Sequence, residues 1–253
     1  MGIFDETVEV ARRTMVLFFL IDASGSMSGD KMGTVNNTME GVVRELEDIS
    51  NDNADAELKV AVMKFSSGSE WITNEPVPAK DFSWNYLDAR GLTDLGDACT
   101  QLNEKLSRNA FMNEAAGSFA PAVFLMSDGE PTDNYQKGLE LLKQNNWFKK
   151  AIKVSIAIGN DANETVLGEF AGNPEAVIRV NNASELRYWI RFVSVRASEI
   201  GSKSANIGNN ADDGTGNNIP SKQEDFIEEV KKEKVTLTKE PPKDDPAWGT
   251  DQW

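Results

Sequence analysis

Asp22, Ser24 and Ser26 stand at alternate positions in Asp22-Ala23-Ser24-Gly25-Ser26, directly after the apolar run 15–21. A carboxylate and two hydroxyls on one side of a turn leaving a buried strand offer three oxygens to a hard cation. Gly25 lets the loop turn tightly between the two serines, where a side chain would obstruct it. A second acid, Asp128, ends another apolar run in Ser127-Asp128-Gly129, and Thr93 precedes a segment of helical period in Gly91-Leu92-Thr93. Taken alone, Asp-x-Ser-x-Ser also reads as a polar turn, a capping loop, a phosphate loop or the seat of a nucleophile. The phosphate loop is disfavoured because the stretch from Gly25 to Lys31 has the wrong glycine spacing and Asp30 precedes the lysine.

Composition narrows the chemistry further. The 253 residues contain no His and a single Cys99, which removes a Ser-His-Asp triad, a histidine-bearing zinc site, a cysteine metal cluster and an internal disulfide. Acidic residues outnumber basic ones 41 to 26, for a formal net charge of -15, so nucleic acid is not an expected partner. Arg12, Arg13 and the run 15–21 resemble the start of a signal peptide. That run stops at Asp22 after seven residues with no small-residue cleavage site behind it, so a buried strand is the reading. With no transmembrane stretch, a soluble cytoplasmic protein is expected.

Positioning these oxygens requires strands that end at one edge. Residues 14–21 are apolar almost without interruption, as in a central strand covered on both faces. Met32, Val35, Met39, Val42, Val43, Leu46 and Ile49 then recur at helical spacing. Further strands are expected at 58–65, 70–73, 121–127, 153–158 and 176–180, the second of them antiparallel at an edge. Helices are expected at 94–106, capped by Thr93, and at 134–146, 164–170 and 184–197. Strands alternating with helices predict an α/β fold with a doubly wound, mostly parallel sheet, one antiparallel edge strand and helices on both faces. Ligands of such sheets bind beyond the carboxyl ends of the strands, where Asp22 and Asp128 both fall. Cys99, at helical spacing from Leu95 and Leu102, belongs to the core.

One domain is expected over residues 1–200. Residues 201–220 are rich in Gly, Asn, Ser and Asp and read as a flexible linker. Residues 221–253 form an acidic tail. Ser221 and Glu224 make a capping box there, Phe226, Ile227 and Val230 give a narrow apolar stripe on a short helix, and Trp248 and Trp253 lie near the end. The stripe and the tryptophans suggest a docking segment for another protein, against the alternative of an ordinary disordered tail. Glu224 to Glu229, or Asp244 and Asp245, are candidate acidic ligands for the chain's own cation site or a neighbour's.

The order and spacing of Asp22-x-Ser24-x-Ser26, Thr93 and Asp128 resemble the metal-ion-dependent adhesion site of von Willebrand factor A domains, over about residues 10–198. The resemblance implies a Rossmann-like fold and a metal ligand set of Asp22, Ser24, Ser26, Thr93 and Asp128. Within that superfamily, residues 20–27, 91–96 and 186–198, the last with a Trp-x-x-x-Val-Ser pattern, resemble bacterial TerY-type proteins of tellurite-resistance and stress-response clusters. Some of those relatives carry a C-terminal zinc-binding region, which a chain with no His and one Cys lacks. Hard oxygen ligands suit Mg2+ best, with Mn2+ and Ca2+ as the other candidates. The resemblance implies a non-enzymatic interaction module, an adaptor or regulated substrate, whose ion captures an acidic residue of a protein partner. A Ser/Thr protein kinase and a PP2C-type phosphatase are the implied partners. The enzymatic alternative is a Mg2+-dependent phosphohydrolase with Asp22 as nucleophile, which would want a second Asp where Ser24 stands.

Overall fold

The computed structural model describes residues 12–114, 117–203 and 222–239. In chain order the elements are β1 (Arg13–Asp22), α1 (Asp30–Asp52), β2 (Ala56–Ser66), β3 (Gly68–Trp71), β4 (Val77–Pro78) and α2 (Leu95–Lys105). Then follow β5 (Ala122–Ser127), α3 (Tyr135–Gln144), α4 (Asn146–Lys150), β6 (Ile152–Ile158), α5 (Glu164–Ala171), β7 (Val177–Val180), α6 (Ala183–Lys203) and α7 (Lys222–Lys239). They form one sheet in the order β3-β2-β1-β5-β6-β7, parallel except at one edge, where β3 and the two-residue β4 both run antiparallel to β2.

The apolar run of β1 is explained by two cores. Met15, Leu17, Phe19 and Ile21 face one layer, packing with Val35, Met39 and Val42 of α1 and Leu186, Ile190 and Val193 of α6. Val16, Phe18 and Leu20 face the other, with Leu95, Cys99 and Leu102 of α2, Leu139 of α3 and Phe170 of α5. A strand whose alternate residues enter separate cores has no position left for a polar side chain until it ends. Both β1 and β5 end at the same level, with Ile21 opposite Met126, so Asp22 and Asp128 leave the sheet side by side.

Beside the unexpected β4, three of the expected elements differ from the sequence-based reading. The helix expected over 134–146 is broken at Asn145, whose side-chain oxygen accepts from the N–H groups of Trp147 at 2.8 Å and Phe148 at 3.3 Å and so starts α4. The closing helix continues beyond Ala197 and through Gly201 to Lys203, so the start of the expected linker is helical. The rest of that linker, 204–220, together with Ser221 and the segment 240–253 bearing Asp244, Asp245, Trp248 and Trp253, lies outside the described residues.

The third difference is α7. Its stripe, expected to meet another protein, is spent on this chain: Phe226 and Val230 are fully buried as part of the core on the α6 side of the sheet, and Ile227 packs with Ala171 and Ala176. The amide of Gln223 accepts from the Lys153 N–H at 2.7 Å and donates to the Lys153 carbonyl at 2.9 Å, serving β6 as one residue of an added strand would. Lys234 Nζ donates to the carbonyls of Val177 at 2.7 Å and Glu175 at 3.1 Å, beside the outer edge of β7. The first turn of α7 therefore sits at the beginning of β6, the opposite end of the sheet from Asp22 and Asp128, which removes Glu224 to Glu229 as ligands within one chain. Among the described residues no helix is long and apolar enough to cross a membrane.

Candidate metal centre

Asp22 is the last residue of β1 and is completely buried. Its Oδ1 accepts from the Ser24 N–H at 2.9 Å, which folds the chain back immediately after the strand. Its Oδ2 accepts from the Ser127 hydroxyl at 2.6 Å, and Ser127 Oγ in turn accepts from the Gly129 N–H at 2.7 Å. Ser127 thus ties the loops after β1 and β5 together. Burial pushes the Asp22 carboxyl up to about 6; the hydrogen bonds from Ser127 and Ser24 oppose this, and the nearby Asp128 adds to it.

Ser24 is buried and Ser26 exposed, with their hydroxyl oxygens 3.0 Å apart. Asp128, 2% exposed, uses its two oxygens differently. Oδ2 accepts from Lys31 Nζ at 3.3 Å, while Oδ1 is buried with no hydrogen-bond partner. An orphaned carboxylate oxygen in a protein interior costs about 1–3 kcal/mol or more unless something meets it.

Thr93 is buried and held to the same cluster through the main chain around it. The Gly25 N–H donates to the Gly91 carbonyl at 3.0 Å, the Arg90 N–H to the Ala23 carbonyl at 2.8 Å, and the Thr93 N–H to Thr132 Oγ1 at 2.9 Å. Gly25 eases that crossing, since a Cβ there would stand 3.3 Å from the Gly91 carbonyl oxygen, a tight contact. Thr93 does not cap α2. Asp94 occupies the N-cap position, and the carboxylate of Asp133 receives the N–H groups of Gly96 at 3.1 Å and Asp97 at 3.2 Å. Asp133 acts there as the negative charge that a helix N-terminus favours.

Sequence reasoning passed over Ser127, Lys31 and Asp133. Ser127 carried one signal, a hydroxyl in an otherwise apolar buried strand end. Lys31 carried another, a cation in the first turn of a helix, where the macrodipole disfavours it. Asp133 has no local signal, because the helix it caps lies almost forty residues earlier in the chain.

The donor set fits a hard divalent ion. Two carboxylates and two hydroxyls gather at one strand-end crevice, one buried carboxylate oxygen lacks a partner, and Thr93 is stitched alongside. Among the described residues no group of three or more His, Cys, Asp or Glu side chains is placed to hold a metal, so an ion here relies on the hydroxyls as well as the acids. Around the crevice Ser26, Arg90 and Leu92 are exposed, Leu92 to 57%.

Comparison with solved structures returns the same architecture on larger proteins. A von Willebrand factor type A protein from Catenulispora acidiphila matches with a TM-score of 0.54 at 18% identity, over 74% of this chain and 43% of that one. The pilus adhesin SpaC of Lactobacillus rhamnosus GG, in its open conformation, matches with a TM-score of 0.56 at 10% identity, over 75% and 30%. Proximal thread matrix protein 1 of the mussel byssus, solved with a zinc-occupied MIDAS motif, matches with a TM-score of 0.51 at 18% identity, over 74% and 46%. This chain therefore spans less than half the length of each, and at these identities the likeness is one of fold. No curated protein matches the sequence. The family model for the von Willebrand factor type A domain matches residues 17–190, from the middle of β1 into α6 and across every element that shapes the crevice, and the chain belongs to that family.

Proposed function

We propose that this chain is a metal-dependent protein-interaction module and not an enzyme. Asp22, Ser24, Ser26, Thr93 and Asp128 are the residues that would hold the ion, with Mg2+ the best match to an all-oxygen donor set and Mn2+ or Ca2+ as substitutes. The observation that carries the reading is the pair of buried carboxylates, Asp22 desolvated and Asp128 with an unpartnered oxygen, at the strand ends where this fold places ligands. A zinc-occupied MIDAS motif in a protein of the same fold supports a divalent ion at this place.

When bound, the ion supplies a positive coordination position for an acidic side chain of a partner. The protein's own residues prepare that position. Ser127 and the Ser24 N–H orient Asp22, Lys31 engages one oxygen of Asp128 and leaves the other bare, and Ser26 faces the open side. Exposed Leu92 and Arg90 border the crevice and would contact a partner around the captured acid. The likeness of residues 20–27, 91–96 and 186–198 to TerY-type proteins supports a cytoplasmic bacterial stress-response or defence setting, with a Ser/Thr kinase and a PP2C-type phosphatase as partner classes.

The test is affinity capture from the native host with wild-type bait and Asp22→Ala bait, each with and without chelator. Partners recovered only by the wild type with divalent ion are expected. Equal recovery in all four arms would sink the metal-bridged reading.

A further inference from the structure

The cation that the proposed site keeps against one of its ligands is Lys31. It is the second residue of α1, where an ammonium opposes the helix dipole, and only 14% of its side chain is exposed. Its Nζ lies 2.9 Å from Asp161 Oδ1 and 3.3 Å from Asp128 Oδ2. Asp161 is 74% exposed, so an ordinary surface pair was open to this lysine, and such pairs contribute little. The ammonium makes that pair and also reaches inward, at the longer distance, to a 2%-exposed carboxylate of the candidate centre. Gly159 leaves the passage for it: the residue has φ +91°, and a Cβ there would come within 2.7 Å of Lys31 Cε and 3.2 Å of its Nζ.

We propose that Lys31 is a built-in counter-cation of the centre, lowering its affinity for a bare divalent ion and making tight binding depend on an added carboxylate. The inference rests on the metal reading above and deepens it. Two carboxylates alone would neutralise a divalent ion and leave little attraction for a further acid. With the Lys31 ammonium beside Asp128, the loaded centre is more positive than its two ligand carboxylates alone would leave it, in a partly buried place where charge is poorly screened. An incoming carboxylate then relieves repulsion as well as filling a coordination position, so ion and acidic partner bind cooperatively. Asp161 sets the strength of the effect, because it shares the ammonium and draws part of its field toward solvent.

The test measures Mn2+ binding to the full chain by water-proton relaxation at pH 7 and low salt, for wild type, Lys31→Gln and Asp161→Asn, each without and with excess acetate. The expected order of bare Mn2+ affinity is Lys31→Gln tightest, about tenfold above wild type, with Asp161→Asn about threefold below it. Acetate should tighten Mn2+ binding severalfold in wild type and by less in Lys31→Gln. Equal or weaker Mn2+ binding by Lys31→Gln, or an acetate effect that does not depend on Lys31, overturns the counter-cation. If Lys31→Gln does not fold, an Asp161→Asn affinity equal to or above wild type overturns it just as well. Mn2+ binding by Lys31→Gln with none by wild type would sink the metal-module reading while upholding Lys31 in a stronger form, as the cation that excludes the ion. No binding by any variant ends both.

Discussion

Two regions of this molecule bring polar groups against the same sheet and treat them in opposite ways. At the start of β6, the amide of Gln223 satisfies both backbone groups of Lys153, and Lys234 serves the carbonyls of Glu175 and Val177. At the ends of β1 and β5, Asp22 is buried at a cost that shows in its raised carboxyl, and Asp128 keeps a buried oxygen with no partner. A sequence that matches the polar groups at one end of a strand layer can do so at the other. On the proposed reading, the difference separates a contact made for stability from a place kept for a ligand.

The sharpest way to break the comparison is at the α7 seat, where the largest effect is expected. Phe226 is fully buried where α7 packs on α6, β6 and the turn before β7. Phe226→Ala should destabilise the chain by about 3–5 kcal/mol in urea unfolding, the usual cost of removing a buried ring. Mn2+ affinity of the folded fraction should stay unchanged. A cost below about 1 kcal/mol would mean that α7 is not held on the domain, and the contrast between the regions would lose one side.

Lys153 sharpens the same side. Lys153 is 9% exposed; its ammonium donates to the carbonyls of Ala151 at 2.9 Å and Phe148 at 3.2 Å, and burial lowers it to about 8 from its ordinary 10.5. The unfolded chain therefore holds this proton to a higher pH than the native chain does. Below about 8 the native state carries the full cost of burying the charge, and between about 8 and 10.5 stability rises with pH as that cost disappears. Lys153→Met should remove this rise, worth about 3 kcal/mol, from unfolding curves taken across that window. An unaltered pH slope would show that the ammonium is solvated.

The two regions also differed in how far the sequence disclosed them. Asp22, Ser24 and Ser26 were legible because the polar residues interrupt a run, 15–21, that double-sided burial keeps apolar, so any oxygen at its end is conspicuous. The alternation of elements was legible for the same reason, down to the antiparallel β3. The seat of α7 was not. Phe226, Ile227 and Val230 form the same stripe whether they face this domain or another protein, and what decides is a surface assembled from α6, β6 and the turn before β7. Asp133 was hidden in the same way, since it acts on a helix start contributed by a distant segment, and the misplaced charge of Lys31 showed only that it had a partner, not which one. β4 escaped notice because two residues, one of them Pro78, carry no period at all.

The smallest effect on stability tests the other side of the comparison, and its sign is the informative part. Asp22→Asn removes a buried charge while keeping an oxygen to accept from the Ser24 N–H, at the expense of the Ser127 donor bond. With chelator present, the variant should be as stable as wild type or more stable by about 1–2 kcal/mol, because the carboxylate's desolvation is no longer carried. Adding Mn2+ should reverse the order. An ion that binds only the native state stabilises it in proportion to the logarithm of its concentration over Kd, and the variant, lacking the anionic ligand, should gain far less. Thermal unfolding of both proteins across a Mn2+ titration would show the curves crossing. Parallel curves, or a variant less stable at every Mn2+ concentration, would mean that Asp22 is an ordinary structural acid, satisfied as Gln223 satisfies Lys153, and the strand-end crevice would no longer stand apart from the rest of the fold.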